Sequence, residues 1–204
     1  LSPTFESTKP GIYVIGALAG YPLIKHCLNQ GYDVIEFIAG NTALKPADEP
    51  LLDALLSGLP GKRTVAEWLE YLRQEVEILR GLSALQMREF MLDSKVRAYR
   101  PGEKVFERNA VGSSLFGVAS GSVRVQVDPK DRSITVPIGK GSIFGEVGLI
   151  SGRRRGATVR AAEDCILVEI SRTAALKLMA TVREARETVH RITTERQLLQ
   201  MFGA

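Results

Sequence analysis

The chain has 204 residues, of which 45% are hydrophobic and 25% are charged, and its formal net charge is +4. This is the composition of an ordinary folded protein, so it excludes intrinsic disorder and collagen-like repeats. The 27 basic residues are nearly matched by 23 acidic ones and are spread along the chain, so charge alone does not indicate a nucleic-acid partner.

Two cysteines and two histidines offer little material for a metal or catalytic centre. Cys27 and Cys165 are far apart and form no CxxC motif, which favours reduced thiols in a cytoplasmic protein. His26 is next to Cys27, but neighbours on a helix point in different directions, and His190 falls in another predicted domain. We therefore predict no metal site and no catalytic residue in this chain.

The first 45 residues predict a strand, a turn and a helix. Ile12–Ile15 is a short β-branched run, and Gly16–Gly20 is a glycine-rich turn signal. Pro22 suits the first turn of a helix that runs to about Ile38 and stops at Gly40.

The apolar run 11–24 does not predict a membrane span. It is shorter than the roughly 18 apolar residues that a span needs, and it contains a proline and three glycines. A basic segment, as a signal peptide requires, does not precede it. The sequence begins at Leu1 without a methionine, which favours an excised fragment.

Residues 46–63 predict a linker that packs in part, because prolines, glycines and small residues surround one short apolar cluster. A helix is expected after the capping residue Thr64, with Glu67 three places on. Its apolar positions repeat at helical spacing and are Val65, Trp68, Leu69, Leu72, Val76 and Leu79. A shorter helix is predicted over Ser83–Met91.

From Val96 to Ile170 the apolar period falls to two, and turns containing Pro-Gly, Ser-Gly and Gly-Lys-Gly separate short runs. This pattern predicts a small antiparallel sandwich or barrel. The fold class is therefore α+β: an antiparallel β-barrel or jelly roll flanked by helices, preceded by a small strand-turn-helix fragment. We expect three parts, residues 1–45, a linker 46–63, and a domain 64–204.

One long helix is predicted from the capping residue Ser171 to about Phe202. Apolar residues recur along it at spacings of four and three, and Arg196 interrupts the series. The members are Leu178, Val182, Ala185, Val189, Ile192 and Leu199. This seam can pack on the sheet, which we favour for its first half, or pair with a second copy in a homodimer. No DNA-reading module is expected after this helix.

Residues 144–158 read FGEVGLISGRRRGAT and predict a ligand site. Gly145 allows close backbone approach, and a helix that begins near Glu146 points its unpaired N–H groups at an anion. Arg155 follows nine residues later, so a chain that doubles back brings both side chains to one pocket. A guanidinium clamps two phosphate oxygens, whereas a carboxylate can only accept hydrogen bonds. A cyclic sugar phosphate fits both groups.

The same stretch resembles the phosphate-binding cassette of the cyclic nucleotide-binding domain family. The family pattern is Phe-Gly-Glu, a small residue two places on, an apolar pair, a variable loop, and Arg before a small residue and Ala-Thr. The residues in those places are Phe144, Gly145, Glu146, Gly148, Leu149, Ile150, Arg155, Gly156, Ala157 and Thr158. Residues 99–108 and 121–127 resemble the family's entry strands.

The resemblance implies a role for each cassette residue. Glu146 is expected to accept from the ribose 2′-hydroxyl and Arg155 to clamp the exocyclic phosphate oxygens. The other expected ligand-binding residues are Gly145, Val147, Gly148, Gly156 and Ala157. Gly156 lacks the hydroxyl that could favour guanine, so cAMP is preferred over cGMP. The competing interpretation of residues 152–156 is a solvated basic turn or a nucleic-acid patch.

Residues 7–38 resemble the closing segment of the FAD-binding domain in thioredoxin-reductase-like flavoproteins, on the run Pro10, Gly11, Ile12 and Tyr13 that leads towards a helix. The acid that holds the FAD ribityl chain in that family is replaced here by Ala17. FAD is therefore not expected in this fragment. The resemblance implies a reductase-like domain in cis.

The favoured function is a cyclic nucleotide sensor that moves the last helix to regulate an attached or partner oxidoreductase. The alternative is the regulatory portion of an FAD- or NAD(P)-dependent thioredoxin-reductase-like enzyme whose catalytic part lies outside this chain. A transcription regulator resembling the catabolite activator protein is disfavoured, because its helix-turn-helix is not present.

Overall fold

The computed structural model of the protein describes residues 1–2, 4–21, 24–41, 46, 48–126 and 135–202. The helices are α1 Ile24–Ile38, α2 Glu49–Leu56, α3 Val65–Glu75, α4 Ala84–Leu92, α5 Glu146–Ser151, α6 Arg172–Thr181 and α7 Arg183–Phe202. The strands are β1 Ser94–Tyr99, β2 Lys104–Phe106, β3 Leu115–Ser120, β4 Ser122–Gln126, β5 Thr135–Gly139, β6 Ile143–Phe144, β7 Thr158–Ala161 and β8 Cys165–Ile170.

The strands form two four-stranded antiparallel sheets, in the orders β1-β8-β3-β6 and β2-β7-β4-β5. Side chains between the sheets form an apolar core that includes Phe116, Phe144 and Leu167. Helices α2, α3, α6 and α7 cover the other face of the first sheet in a larger core. The predicted α+β class, an antiparallel jelly roll flanked by helices, is confirmed.

Two predicted helix starts are confirmed by their caps. The Thr64 hydroxyl accepts from the Glu67 backbone N–H, and the Glu67 carboxylate accepts in return from the Thr64 N–H, which is a capping box. Ser83 and Gln86 form the same reciprocal pair at the start of α4. These caps satisfy backbone donors that the first helical turn leaves free.

The predicted strand Ile12–Ile15 is not formed. Tyr13 makes only an isolated bridge with Glu6, because among the described residues no further strand lies beside this segment. The expected turn is a 3-10 helix, Gly16–Ala19, and α1 ends before Gly40, whose φ is +82°. Pro22 lies outside the described residues. Phe5, Tyr21 and Val34 form a small core that packs against Leu85 of α4.

The segment 46–63, predicted as a linker that packs in part, contains helix α2. Leu52 and Leu56 of α2 are buried in the same core as α3. Arg88 of α4 pairs with Asp48 and Glu49 at the start of α2, both at 2.7 Å. Burial and ion pairing therefore hold this segment against the rest of the chain.

The predicted helix Ser171–Phe202 is broken at Val182. Val182 has extended backbone (φ −116°, ψ 109°) and separates α6 from α7. Val182 is buried at this break and packs close to Gly81. A Cβ added to Gly81 would lie 2.7 Å from Val182 Cγ1. The described apolar seam from Leu178 to Ile192 is buried in the chain's own core. Leu199 has its side chain outside the described part.

Within the described ranges, no helix combines the length and the hydropathy needed to cross a bilayer.

Gly117 tests how closely the end of α3 approaches β3. A Cβ at Gly117 would lie 2.5 Å from Cγ1 of the buried Val76, whereas a Cβ at Gly139 of β5 meets no heavy atom within 4 Å. We expect Gly117→Ala to lower the free energy of unfolding by about 1–3 kcal/mol. Gly139→Ala should change it by less than about 0.5 kcal/mol. Urea unfolding of both variants checks this, and equal effects would contradict the packing.

Candidate functional site

The cassette predicted at residues 144–158 is a strand, a short helix and a loop that returns to the barrel. Strand β6 ends at Phe144, and α5 begins at Glu146 as expected. Gly145 between them has φ +87°, a conformation that favours glycine. The chain then passes through Gly152, also left-handed, and reaches Arg155 just before β7.

Arg155 is buried, with 5% of its surface exposed. Its Nη1 donates to the carbonyl oxygens of Ser114 (2.8 Å) and Gly145 (3.3 Å). The guanidinium carbon lies 4.3 Å from the ring centroid of Phe106 and 5.4 Å from that of Phe116. Two aromatic faces and two carbonyls therefore hold the guanidinium in one orientation.

The charge of Arg155 has no direct partner in the described part of the chain. No carboxylate there lies within 4.0 Å of it, and its Nε and Nη2 donate no hydrogen bond to those residues. Burial lowers the pKa of the guanidinium from its ordinary value, while the charges of Glu169 and Glu146 act in the opposite direction. Since arginine stays protonated in proteins, the site holds a desolvated cation with two free donors.

Glu146 is also buried, with 3% exposed, but its charge is paired. Its Oε2 accepts from Nη1 of Arg196 at 2.7 Å. The other terminal nitrogen of Arg196 donates to the carbonyl of Ile143 at 2.7 Å. Helix α7 is thus fastened to the cassette through the carboxylate that was predicted to bind a ribose.

The loop between β2 and β3 lies against the cassette. The Arg155 backbone N–H donates to the Ala110 carbonyl (3.0 Å), and the Asn109 N–H donates to the Arg155 carbonyl (2.8 Å). Gly112 approaches the guanidinium so closely that an added Cβ would lie 3.2 Å from Arg155 Nε. A cavity of about 430 Å³ lies elsewhere, between α2 and α3. At the cassette, the Gly112 segment lies beside Nε and Nη2 of Arg155.

The structure brings Arg155, Gly145 and Gly148 together. A Cβ on Gly145 would lie 2.7 Å from Arg155 Nη1, and one on Gly148 would lie 3.5 Å from it. Glu146 and Arg155 are both buried in the cassette and do not contact each other. Val147 and Gly156 are exposed and Ala157 is half-buried.

The two cysteines do not belong to this site. Burial raises the pKa of the Cys165 thiol to about 11. The side chain of His26, beside Cys27, lies outside the described part.

Sequence reasoning missed the residues that come from other elements. Phe106, Gly112 and Ser114 reach Arg155 from the β2–β3 segment, and no periodicity marks them. Ser114 also donates to Glu169 of β8 at 2.8 Å. In the sequence, Arg196 stands out only because it interrupts the apolar seam of the last helix. That interruption is the signal that could have identified the partner of Glu146, because a cation in a buried stripe needs a counter-charge.

Residues 96–182 match the family model described as the cyclic nucleotide-binding domain. A cyclic nucleotide-gated potassium channel of Rhizobium etli is 35% identical over 107 residues, which are 50% of this chain and 29% of that protein. A cAMP-dependent protein kinase regulatory subunit of Debaryomyces hansenii is 26% identical over 52% of this chain and 23% of its own length. The chain thus spans less than a third of these relatives.

Solved structures share the fold. PKAR CBD2 with bound Sp-2Cl-cAMPS has a TM-score of 0.54 at 21% identity and covers 68% of this chain and 91% of its own. The catabolite activator protein of Thermus thermophilus has a TM-score of 0.53 at 24% identity, covering 62% of this chain and 61% of its own. At these identities the likeness shows the fold alone.

Gly145 and Gly152 provide a matched test of the close approach to Arg155. Both flank α5 with positive φ, but a Cβ at Gly152 meets nothing within 4 Å. We expect Gly152→Ala to cost about 1–2 kcal/mol of stability from backbone strain alone. Gly145→Ala should cost at least about 1 kcal/mol more, because its Cβ displaces the guanidinium or the Ser114 carbonyl. Equal losses in urea unfolding would contradict this geometry.

Proposed function

We propose that the cyclic nucleotide-binding domain in this chain is a regulatory module that binds a cyclic nucleotide at the cassette, with cAMP favoured. The observation that carries this proposal is the buried Arg155 guanidinium, which meets no carboxylate within the described residues. A desolvated cation is stabilised by an anion that enters the same site. The phosphodiester of a cyclic nucleotide supplies one permanent negative charge.

The phosphate is proposed to occupy the side of Arg155 that carries Nε and Nη2. These two donors form a planar fork that matches two oxygens of one phosphate. The stacking on Phe106 fixes the plane of the fork before the ligand arrives, which reduces the ordering cost of binding. Backbone groups of Gly145, Val147, Gly148, Gly156 and Ala157 are proposed to line the remaining phosphate surface.

The ribose is proposed to face Glu146. An ionised carboxylate only accepts hydrogen bonds, so it selects a ligand that donates, as the 2′-hydroxyl does. The regulatory subunit and the analogue-bound structure described above are named for cAMP ligands, which supports this class. The preference for cAMP over cGMP rests on Gly156, which offers no hydroxyl to a guanine.

Signal output is proposed to run through α7. The carboxylate that receives the ribose already holds Arg196, so a bound ligand and the helix share one acceptor. Binding shifts α7 only to the extent that the ligand prefers one arrangement of this pair over another. Entry of the phosphate also displaces the Gly112 segment from the guanidinium, which links the β2–β3 loop to the same event.

The regulated activity stays a prediction from the sequence. The domain itself is a regulatory, non-catalytic module in its family. A reductase-like domain in cis, a flavin-dependent parent and cytoplasmic location rest on the sequence alone. A homodimer through the last helix would have to use its final turns, because the described apolar seam is buried in the chain's own core.

We expect Arg155→Ala to weaken cAMP binding at least about 100-fold. Two charge-assisted hydrogen bonds are lost at about 1.5 kcal/mol each, and about 1.4 kcal/mol corresponds to tenfold. Isothermal titration calorimetry with cAMP measures the affinity. Arg155→Lys keeps the charge but lacks the planar fork of donors, so its cAMP affinity should lie between those of Arg155→Ala and the unsubstituted protein.

Arg153→Ala is the matched control for this titration, because Arg153 is an exposed arginine of the same loop. It should change the affinity less than threefold, a factor expected for a surface charge at moderate salt. Thermal melts followed by circular dichroism establish that each variant is folded. Comparable affinity of Arg155→Ala and the unsubstituted protein would refute the proposed site.

We expect Arg196→Ala to uncouple α7 from ligand binding. In the unsubstituted protein, cAMP should alter amide hydrogen exchange in α7; in the variant this change should be small, although cAMP still binds. Arg191→Ala is the control, because Arg191 of the same helix pairs with Glu77 at 2.7 Å, away from the cassette. An unchanged exchange response in Arg196→Ala would contradict the proposed coupling.

A further inference from the structure

Helix α1 carries an apolar stripe that nothing in the described structure covers. Its side chains are exposed by 59–78%, although each is a large hydrophobic residue. They are Ile24 (78%), Leu28 (70%), Tyr32 (59%), Ile35 (64%) and Ile38 (59%). No charged residue belongs to this set, which we name the α1 stripe.

The α1 stripe is separate from the face by which α1 packs on its own chain. Val34 belongs to the small core with Phe5 and Tyr21, and the buried Gln30 accepts from the Gly16 backbone N–H at 2.7 Å. At 3.6 residues per turn, Gln30 and Val34 lie on a different side of the helix from Leu28 and Ile35. A helix that is apolar on two sides is expected to have two partners, and here one is missing.

The spacing of the stripe identifies the missing partner. Ile24, Leu28, Ile35 and Ile38 occupy the positions of a seam with alternating steps of four and three, and Gly31 fills the position between the two pairs. This order is symmetric about Gly31: Ile24 and Ile38 are equally far from it, and Leu28 and Ile35 nearly so. A surface that is symmetric along its own axis is complementary to an antiparallel copy of itself.

We propose that the α1 stripe is the contact of a twofold-symmetric dimer, in which α1 of one protomer packs antiparallel against α1 of its partner. Ile24 then meets the partner's Ile38, Leu28 meets the partner's Ile35, and the helices cross at Gly31. Gly31 at this point is half-buried at the border between the stripe and the face that packs on Ile15 of its own chain, and it adds no side chain to the crossing. The contact lies in the N-terminal segment and does not involve α7 or the cassette.

The available area agrees with such a contact. Five large apolar side chains, each more than half exposed, offer about 500 Å² per protomer. Complete burial of both stripes would remove about 1,000 Å² from water, which is the lower limit for a specific interface. The same area left in water would be a large apolar patch for a monomer.

Sedimentation velocity of the whole chain over a range of protein concentrations tests the proposal. We expect a dimer, and we expect Leu28→Glu or Ile35→Glu to raise its dissociation constant at least about 100-fold, because each places an unpaired charge in an apolar contact. Asn29→Glu is the matched control: it adds the same charge to an exposed position of α1 outside the stripe and should leave the dimer intact.

A cysteine at the crossing point tests the orientation. In a Cys27→Ser background, Gly31→Cys should form a disulfide-linked dimer on oxidation, because an antiparallel pair places the two substituted positions face to face. A Cβ at Gly31 is tolerated in the protomer, where it lies 3.6 Å from Ile15 Cδ1. Asn29→Cys should not cross-link.

Three results would overturn the proposal: a monomer at every concentration, a dimer unaffected by Leu28→Glu, or cross-linking equal at positions 29 and 31. The readout is the oligomeric state and requires no nucleotide, so it is independent of cAMP binding at the cassette.

Discussion

The arrangement of the cassette depends on one buried guanidinium whose charge is not neutralised by a contact in the described chain. Arg155 is held by carbonyl oxygens and aromatic faces, which orient a cation without cancelling its charge. In the proposed function, the cost of desolvating this cation in the free protein is the reason that an anion is expected to bind there. Gly145, Gly112 and Gly148 follow from the same requirement, because a side chain at any of them would crowd the guanidinium or its supporting loop.

The two buried charges of the cassette differ in their partners, and the proposed function assigns affinity to one and signalling to the other. The Arg155 charge meets no carboxylate in the described chain, whereas the Glu146 charge is paired with Arg196 of α7. In the proposed function, a phosphate adds an interaction that the free protein lacks. A ribose hydroxyl would instead use a carboxylate that already holds α7, so its effect would reach the position of that helix. On the same proposal, an anion without a ribose binds Arg155 and leaves the Glu146–Arg196 pair unchanged.

The sequence alone predicts the structure correctly where a local pattern of residues determines it. The capping boxes at Thr64 and Ser83, the alternating strands and the cassette from Phe144 to Thr158 are all local. The structure departs from local patterns where contacts between distant residues determine it. Burial of Leu52 and Leu56 stabilises α2 within a Pro- and Gly-rich segment. Packing of Val182 near Gly81 interrupts the long helix predicted from Ser171. Ile12–Ile15 has strand propensity, but in the part of the chain that the structure describes it forms only one isolated bridge. Arg196 and Phe106 join the site only through the tertiary fold, so no spacing along the chain reveals them.

A continuous set of contacts leads from the cassette to the N-terminal segment. Glu146 holds Arg196 of α7, and Arg191 of the same helix pairs with Glu77 in the 3-10 turn that follows α3. Helix α3 packs on α4, whose Leu85 closes the small core around α1. Contact alone does not transmit a signal; an element with two arrangements must lie on the path. In the proposed function, helix α7 is this element, because its Arg196 is held by the carboxylate that is proposed to face the ribose. If α7 moves on ligand binding, the contacts of Glu77, α3 and α4 connect that movement with the N-terminal segment that contains α1.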